Sequence, residues 1–232
     1  MSTSQAASKL ARAASALCAF MLCTLAAAAT RAQQPGASGP EIALRSGLAL
    51  PFGDVDGGAN RNLDRFAGSA IPLVVEVGYR VDPTLFVGAR FDYAFPQLKN
   101  PTAGANCSDI SCDGSVLRLG LEGIYRFLPG DKFAPWVGLG AGYEWMTADY
   151  FGTDGGLGQT VRGFHGLLQG GGDIRVGPQL VLGPFVELSM GRFDSATTRA
   201  RAFNITTETD DDISDTAWHS WLTLGLRGAF GF

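Results

Sequence analysis

The chain has 232 residues, 18 basic and 22 acidic side chains and a net charge of −4. It carries no basic stripe that could neutralise phosphates, which excludes nucleic acid as a partner. No uncharged apolar run reaches the roughly 20 residues of a helical membrane span.

The first element in chain order is a leader. Met1 to Ala14 contains Lys9 and Arg12 and no acid, Ala13 to Ala29 is apolar and uncharged, and small residues follow at Thr30 and Ala32. A basic start, an apolar middle and a small-residue exit predict a secretory signal peptide over 1–32, cleaved after Ala32. Without Lys9, Arg12 and Arg31 the mature chain keeps 15 bases against 22 acids, a net charge of −7. Residues 33–40 read as a short N-terminal segment and 41–232 as one domain.

Eight segments of that domain alternate apolar and polar residues with period two, the signature of strands. They are EIALRSGLALPF, AIPLVVEVGYRV, TLFVGARFDYAF, SVLRLGLEGIYRF, APWVGLGAGYEWM, VRGFHGLLQGGGDIRV, QLVLGPFVELSMGRF and AWHSWLTLGLRGAFGF. Gly, Pro, Asp and Asn clusters separate them. The connections alternate in length. Asp82-Pro83, Leu128 to Lys132 and Gly177-Pro178 are short, whereas Phe52 to Ser69, Pro96 to Gly114, Ala148 to Thr160 and Asp194 to Thr216 are long and polar. Cys107 and Cys112, five positions apart in one of the long connections of an exported chain, predict a disulfide.

One face of these strands is apolar and is expected to be free of charge, with Tyr79, Phe95, Tyr125, Phe127, Tyr143, Trp145 and Phe230 near its ends. The other face carries Arg45, Glu76, Arg80, Arg90, Asp92, Arg118, Glu122, Arg126, Glu144, Asp173, Arg175, Glu187 and Arg227, together with His165, Gln169 and His219. Alternation does not say which face is inside. Strand length, the aromatic ends, the asymmetry of the connections and the terminal Phe232 point to an inside-out protein: an eight-stranded antiparallel up-and-down transmembrane β-barrel. Aromatic girdles lie at its two interfaces. The charged face then fills a bore only wide enough for side chains. Seven arginines against six acids read as a network of pairs that closes the lumen, since a selective pore calls for a ring of one sign.

On this architecture, and on the final LTLGLRGAFGF, the chain over about Glu41 to Phe232 resembles the small outer-membrane β-barrel proteins of Gram-negative bacteria, the OmpA/OmpX type. The resemblance implies that Leu222, Leu224, Leu226, Phe230 and Phe232 form a C-terminal signal read by the barrel-assembly machinery. It also implies an outer-membrane location among lipids that include lipopolysaccharide, with both termini periplasmic and a monomeric barrel. Within that family fold does not give function.

An enzyme of this type needs a nucleophile and a base on one face. His219 and Ser220 are adjacent and point to opposite faces, and His165 has Gly163 and Leu167 beside it. No catalytic residue is assigned, nor any cofactor or metal. The run Asp210 to Asp212 lacks cation-loop spacing and reads as a solvated loop. The expected function is non-enzymatic: structural, or a surface contact made by four external loops to an unidentified ligand. The alternative is a low-conductance, porin-like channel.

Overall fold

A computed structural model describes residues 38–57, 62–99, 107, 111–151, 155–202 and 205–231. The expected signal peptide, residues 33–37 and Phe232 lie outside the described residues. The strands are β1 (Gly39–Gly53), β2 (Ala67–Arg80), β3 (Leu85–Leu98), β4 (Ser111–Arg126), β5 (Phe133–Phe151), β6 (Gly155–Arg175), β7 (Leu180–Ala202), β8 (Ile205–Asp212) and β9 (Trp218–Gly231), with one helical turn, α1 (Leu63–Phe66).

Every strand pair is antiparallel, and β1 to β7 follow one another around the sheet. β9 pairs with β7 from Leu180↔Phe230 to Arg192↔Trp218 and with β1 from Glu41↔Gly231 to Gly53↔His219. The sheet is therefore closed, with eight staves: β1 to β7 and β9. Closure removes the free edges that an open sheet would expose to lipid. Gly39 pairs with Arg80 and Glu41 with Gly231, so both ends of the described barrel lie at the end that carries the short turns.

Those turns are built from local chemistry. Asp82 Oδ1 accepts hydrogen bonds from the Thr84 N–H (2.7 Å), the Thr84 hydroxyl (2.6 Å) and the Leu85 N–H (2.9 Å). These bonds hold the Asp82 carboxyl below the ordinary carboxylate range. Gly130, at φ +100°, turns the chain between β4 and β5.

The opposite end departs from the expected four loops. Asp194 to Thr216 is largely strand: β7 continues past the barrel, and β8 pairs back on it from Ser195↔Asp212 to Ala202↔Ile205. Of Ala148 to Thr160, residues 148–151 and 155–160 are strand as well, since β5 pairs with β6 up to Phe151↔Gly156. β4 keeps its pairing with β5 to Ser111↔Phe151, and β6 pairs with β7 to Gly155↔Ala202. A five-stranded sheet, β4 to β8, thus rises beyond the barrel on one side. Polarity misled here, because solvated strands lack the apolar alternation that marks a half-buried one. Cross-strand pairs hold the tip: Arg199 donates to Glu208 at 2.9 and 3.1 Å, and the Thr197 hydroxyl to Asp210 at 2.5 Å. Where the sheet leaves the barrel, β7 carries a bulge between Phe193 and Ser195, opposite Gly163 and Arg162. The extra residue, Asp194, re-aims the chain. The disulfide Cys107–Cys112 is present, with Cα atoms 5.9 Å apart, and ties the β3–β4 connection to the start of β4.

The outer wall is apolar over its whole girth. Leu121 is 71% exposed, Leu139 66% and Leu226 70%. An apolar belt this extensive is not tolerated in water; the wall faces lipid. Edge-to-face aromatic pairs sit at its ends: Tyr125 with Phe127, Tyr93 with Phe95, and Tyr143 with both Trp145 and Phe164. On β5, Phe133 and Tyr143 stand ten residues apart. At about 3.4 Å per residue and a tilt of about 40°, that spans roughly 26 Å, close to the height of an outer-membrane apolar band. One expectation fails on this face. Arg162 and Arg192 point outward and are exposed, so the apolar face is not free of charge.

The β7–β8 hairpin adds no pairing that closes the barrel. Replacing residues 197–210 by Asn-Gly, a two-residue turn suited to the Ala196↔Asp211 pair, is expected to leave a barrel that refolds in detergent. The check is the mobility shift between unboiled and boiled samples on a denaturing gel. Loss of the unboiled folded band would show that the tip is needed for folding.

Candidate functional site

Charged side chains line the interior from the short-turn end toward the hairpin end. At the short-turn end Glu41 gathers three guanidinium groups. It accepts from Arg126 (2.5 Å), Arg227 (3.0 Å) and Arg80 Nε (3.1 Å). Glu41 shares its strand face with Ala43 and Arg45, and that parity was the signal that could have placed it in the bore. Its position at the strand end hid it. Arg227 also reaches Asp173 (3.1 Å) and Glu76 (3.2 Å), and the Trp136 indole N–H donates to Asp173 (3.0 Å).

Higher in the bore, Arg45 forms a close ion pair with Glu76 and a hydrogen bond to the Gln169 carbonyl oxygen. The Gln169 amide donates in turn to Glu122 at 2.9 Å. Arg90 grips Glu187 with two bonds, 2.5 and 2.8 Å, and touches Asp92 at 3.4 Å. Arg118 spans Asp92 (3.1 Å) and Glu144 (2.5 Å), and His219 Nε2 lies 3.2 Å from Glu144. Arg45 reaches Glu187 at 3.7 Å, which links the two halves. The result is one chain of pairs from Arg80 to His219.

Apolar side chains occupy the remaining space. Phe86, Ile124, Trp136 and Phe185 form an inner cluster. Arg45 lies 5.2 Å from the rings of Trp136 and Phe185, and Arg227 lies 5.5 Å from Trp136, at cation–π range. Under the hairpin end, Leu63 of α1, Phe193, Trp221, Met146 and Val116 form a second buried cluster. Phe193 stacks on His219 at 4.0 Å. The staves approach closely enough that two facing pairs must be glycine. A Cβ on Gly47 would sit 2.2 Å from the Leu224 carbonyl oxygen, and one on Gly142 2.2 Å from that of Leu119.

Twelve of the thirteen residues assigned to the network stand in this chain of pairs. Arg175 does not. It is half-buried at the short-turn mouth and forms no ion pair among the described residues. It lines a small cavity there with Arg80, Arg126 and Asp173. His165 is buried without a hydrogen bond to any described residue, while His219 faces Glu144 and Phe193 rather than a hydroxyl. Leu224 and Leu226 of the terminal segment face outward and are exposed; Leu222 and Phe230 are half-buried on the same face. Among the described residues no group of His, Cys, Asp and Glu has the arrangement of a metal site.

No protein-family model and no curated protein matches the chain. Solved structures do. A major outer membrane protein from Thermus thermophilus is 14% identical with a TM-score of 0.59, over 84% of this chain and 100% of that one. Neisserial surface protein A is 16% identical with a TM-score of 0.45, over 82% and 97%. The outer membrane protease OmpT from Escherichia coli is 9% identical with a TM-score of 0.39, over 85% and 94%. Identity this low speaks for the fold alone. The chain is an eight-stranded antiparallel β-barrel of the outer-membrane type.

Removing one partner of a buried ion pair costs about 3–5 kcal/mol, because the other charge is left desolvated and unmatched. Glu41→Gln is therefore expected to lower the unfolding free energy by about 3 kcal/mol, measured by urea titration in a bilayer. Glu208→Gln, at an exposed pair on the tip, leaves the midpoint unchanged.

Proposed function

We propose that the protein is a non-enzymatic outer-membrane barrel whose bore is closed and whose working surface is the sheet and connections at the hairpin end, turned outward from the cell. The observation that carries this reading is the filled bore. Six arginines (45, 80, 90, 118, 126 and 227) and seven carboxylates (41, 76, 92, 122, 144, 173 and 187) interlock along its length, and an apolar cluster sits above them. A network of both signs holds side chains in place, whereas passage of an ion calls for a ring of one sign. The five-stranded extension is the feature that the barrel itself does not need, and it presents the exposed, acidic strand β8. A surface contact is the role it suits. Its partner would be cationic or hydrogen-bonding rather than apolar.

In this reading the short turns and both chain ends lie in the periplasm. The terminal strand, with Leu222, Leu224, Leu226, Phe230 and Phe232, serves as the signal for insertion. His219 is engaged with Glu144 and Phe193 rather than with a nucleophile, which supports a role without catalysis.

Two measurements test it. Thr207→Cys is expected to react with a membrane-impermeant maleimide on intact cells, and Asp131→Cys only after lysis; the reverse would turn the molecule over. In planar bilayers the mature protein is expected to be silent, and Arg118→Ala, which takes one partner each from Glu144 and Asp92, to give openings. Steady openings of the wild type would favour the channel instead.

A further inference from the structure

The outer wall at barrel height carries two charged side chains among the described outward-facing residues, Arg162 on β6 and Arg192 on β7. They are not scattered. Arg192 stands opposite Phe164, two residues below Arg162 on the neighbouring strand, so the two arginines are diagonal neighbours. Such neighbours lie roughly 7–8 Å apart.

Aromatic rings frame them. Arg162 is paired across the strands with Trp145, and Arg192 with both Phe164 and Trp218; Tyr143 lies beside Phe164. This is the upper girdle, where the apolar belt meets the headgroups. Arg162 Nε donates to the Ser195 hydroxyl at 2.7 Å, which lays the guanidinium along the wall and leaves its two terminal nitrogens for another acceptor. Among the described residues neither arginine forms an ion pair. Asp194 accepts from the Ser195 hydroxyl (3.1 Å) and the Tyr143 hydroxyl (3.3 Å), and Asp212 of β8 stands opposite Ser195, one strand further from Arg162.

An arginine facing hydrocarbon is costly and one at the interface is nearly free. Guanidinium groups bind phosphate through paired N–H donors. Phe164, 71% exposed, together with Met190 and Leu188 below it, offers an apolar surface directly beneath the two cations. A free ion would have no use for that surface; an acyl chain would. We propose that Arg162 and Arg192 form a binding site for the phosphate-bearing headgroup of an anionic lipid, whose acyl chains lie against the wall below. The site goes beyond the surface-contact reading and does not depend on it, because it requires only that this wall face a bilayer.

The tryptophans make the site measurable. Trp145 and Trp218 flank the arginines, while Trp136 and Trp221 are buried inside the bore and give a constant background. The mature protein is refolded into phosphatidylcholine vesicles in which a minor fraction of the lipid is acyl-brominated phosphatidylglycerol or acyl-brominated phosphatidylcholine. Tryptophan quenching then gives the relative affinity for the two headgroups. The wild type is expected to prefer the anionic lipid by roughly fivefold, the ratio that about 1 kcal/mol for a basic side chain at the membrane surface provides. In Arg162→Gln/Arg192→Gln the ratio falls to about one, and in Arg162→Lys/Arg192→Lys most of it is kept. Equal quenching by the two lipids in the wild type overturns the proposal, as does a preference that survives in the double glutamine variant. Should that variant fail to refold, the single variants decide: a lower preference in each supports the site, and an unchanged preference in both overturns it. Excess inorganic phosphate is expected to leave the wild-type preference intact; its loss would assign the affinity to the free ion and overturn the lipid.

Discussion

A barrel of eight staves has a bore with room for side chains and little else, and this chain lines that bore with charge. Buried there, each guanidinium needs carboxylate oxygens and each carboxylate needs donors. The geometry answers by sharing. Glu41 serves three arginines, Arg227 serves three carboxylates, and Arg45 links the lower half of the chain of pairs to the upper. The close approach of Gly47 and Gly142 to opposing backbone is part of the same economy of space: long side chains can lie across the bore only where neighbouring positions have none.

The wall obeys the opposite rule, and the two rules meet at the strand ends. Below the girdle the described outward strand positions carry no charge, because no water is present to solvate one. At the girdle the constraint relaxes, and there Arg162 and Arg192 appear. Above it the chain returns to water, and the strands β5 to β8 carry threonine, aspartate, glutamate and arginine on their surfaces. The bulge at Asp194 lies at this boundary. It ends the barrel register, accepts hydrogen bonds from Tyr143 and Ser195, and lets β7 rise into the extension. The same strand thus passes through three solvents, and its composition changes with each.

At the hairpin end the interior changes character: Leu63 of α1 joins Phe193, Trp221 and Met146 in an apolar cluster, with Phe193 stacked on His219. Backbone bonds from Asp54 to Trp218 and from Gly57 to Asp215 tie the β1–β2 connection to the approach of β9. The charged column thus has an apolar cluster at one end and Glu41 with its arginines at the other.

Period-two alternation, the leader-like start and the unequal connections were sufficient for an inside-out barrel of eight staves, for its girdles and for most of the residues inside it. Parity alone puts a residue on a face, so Arg45, Glu76, Arg118 and Glu187 were legible before any coordinate. Parity does not give stagger. Which arginine meets which acid is set by the shear of the closed sheet. The partnership of Arg227 with Glu41, or of Arg90 with Glu187, across 186 and 97 residues, therefore exists only in three dimensions. Glu41 was passed over because it lies at a strand end, where parity stops deciding between bore and mouth, and Arg175, at the mouth, stands apart from the ion pairs. The tip strands were missed because, with water on both faces, they have no reason to alternate. The outward arginines were overlooked for a related cause. Their parity was plain in the sequence, and only the height at which the tertiary structure sets them, level with Tyr143 and Trp218, turns two exceptions on an apolar face into neighbours at a membrane interface.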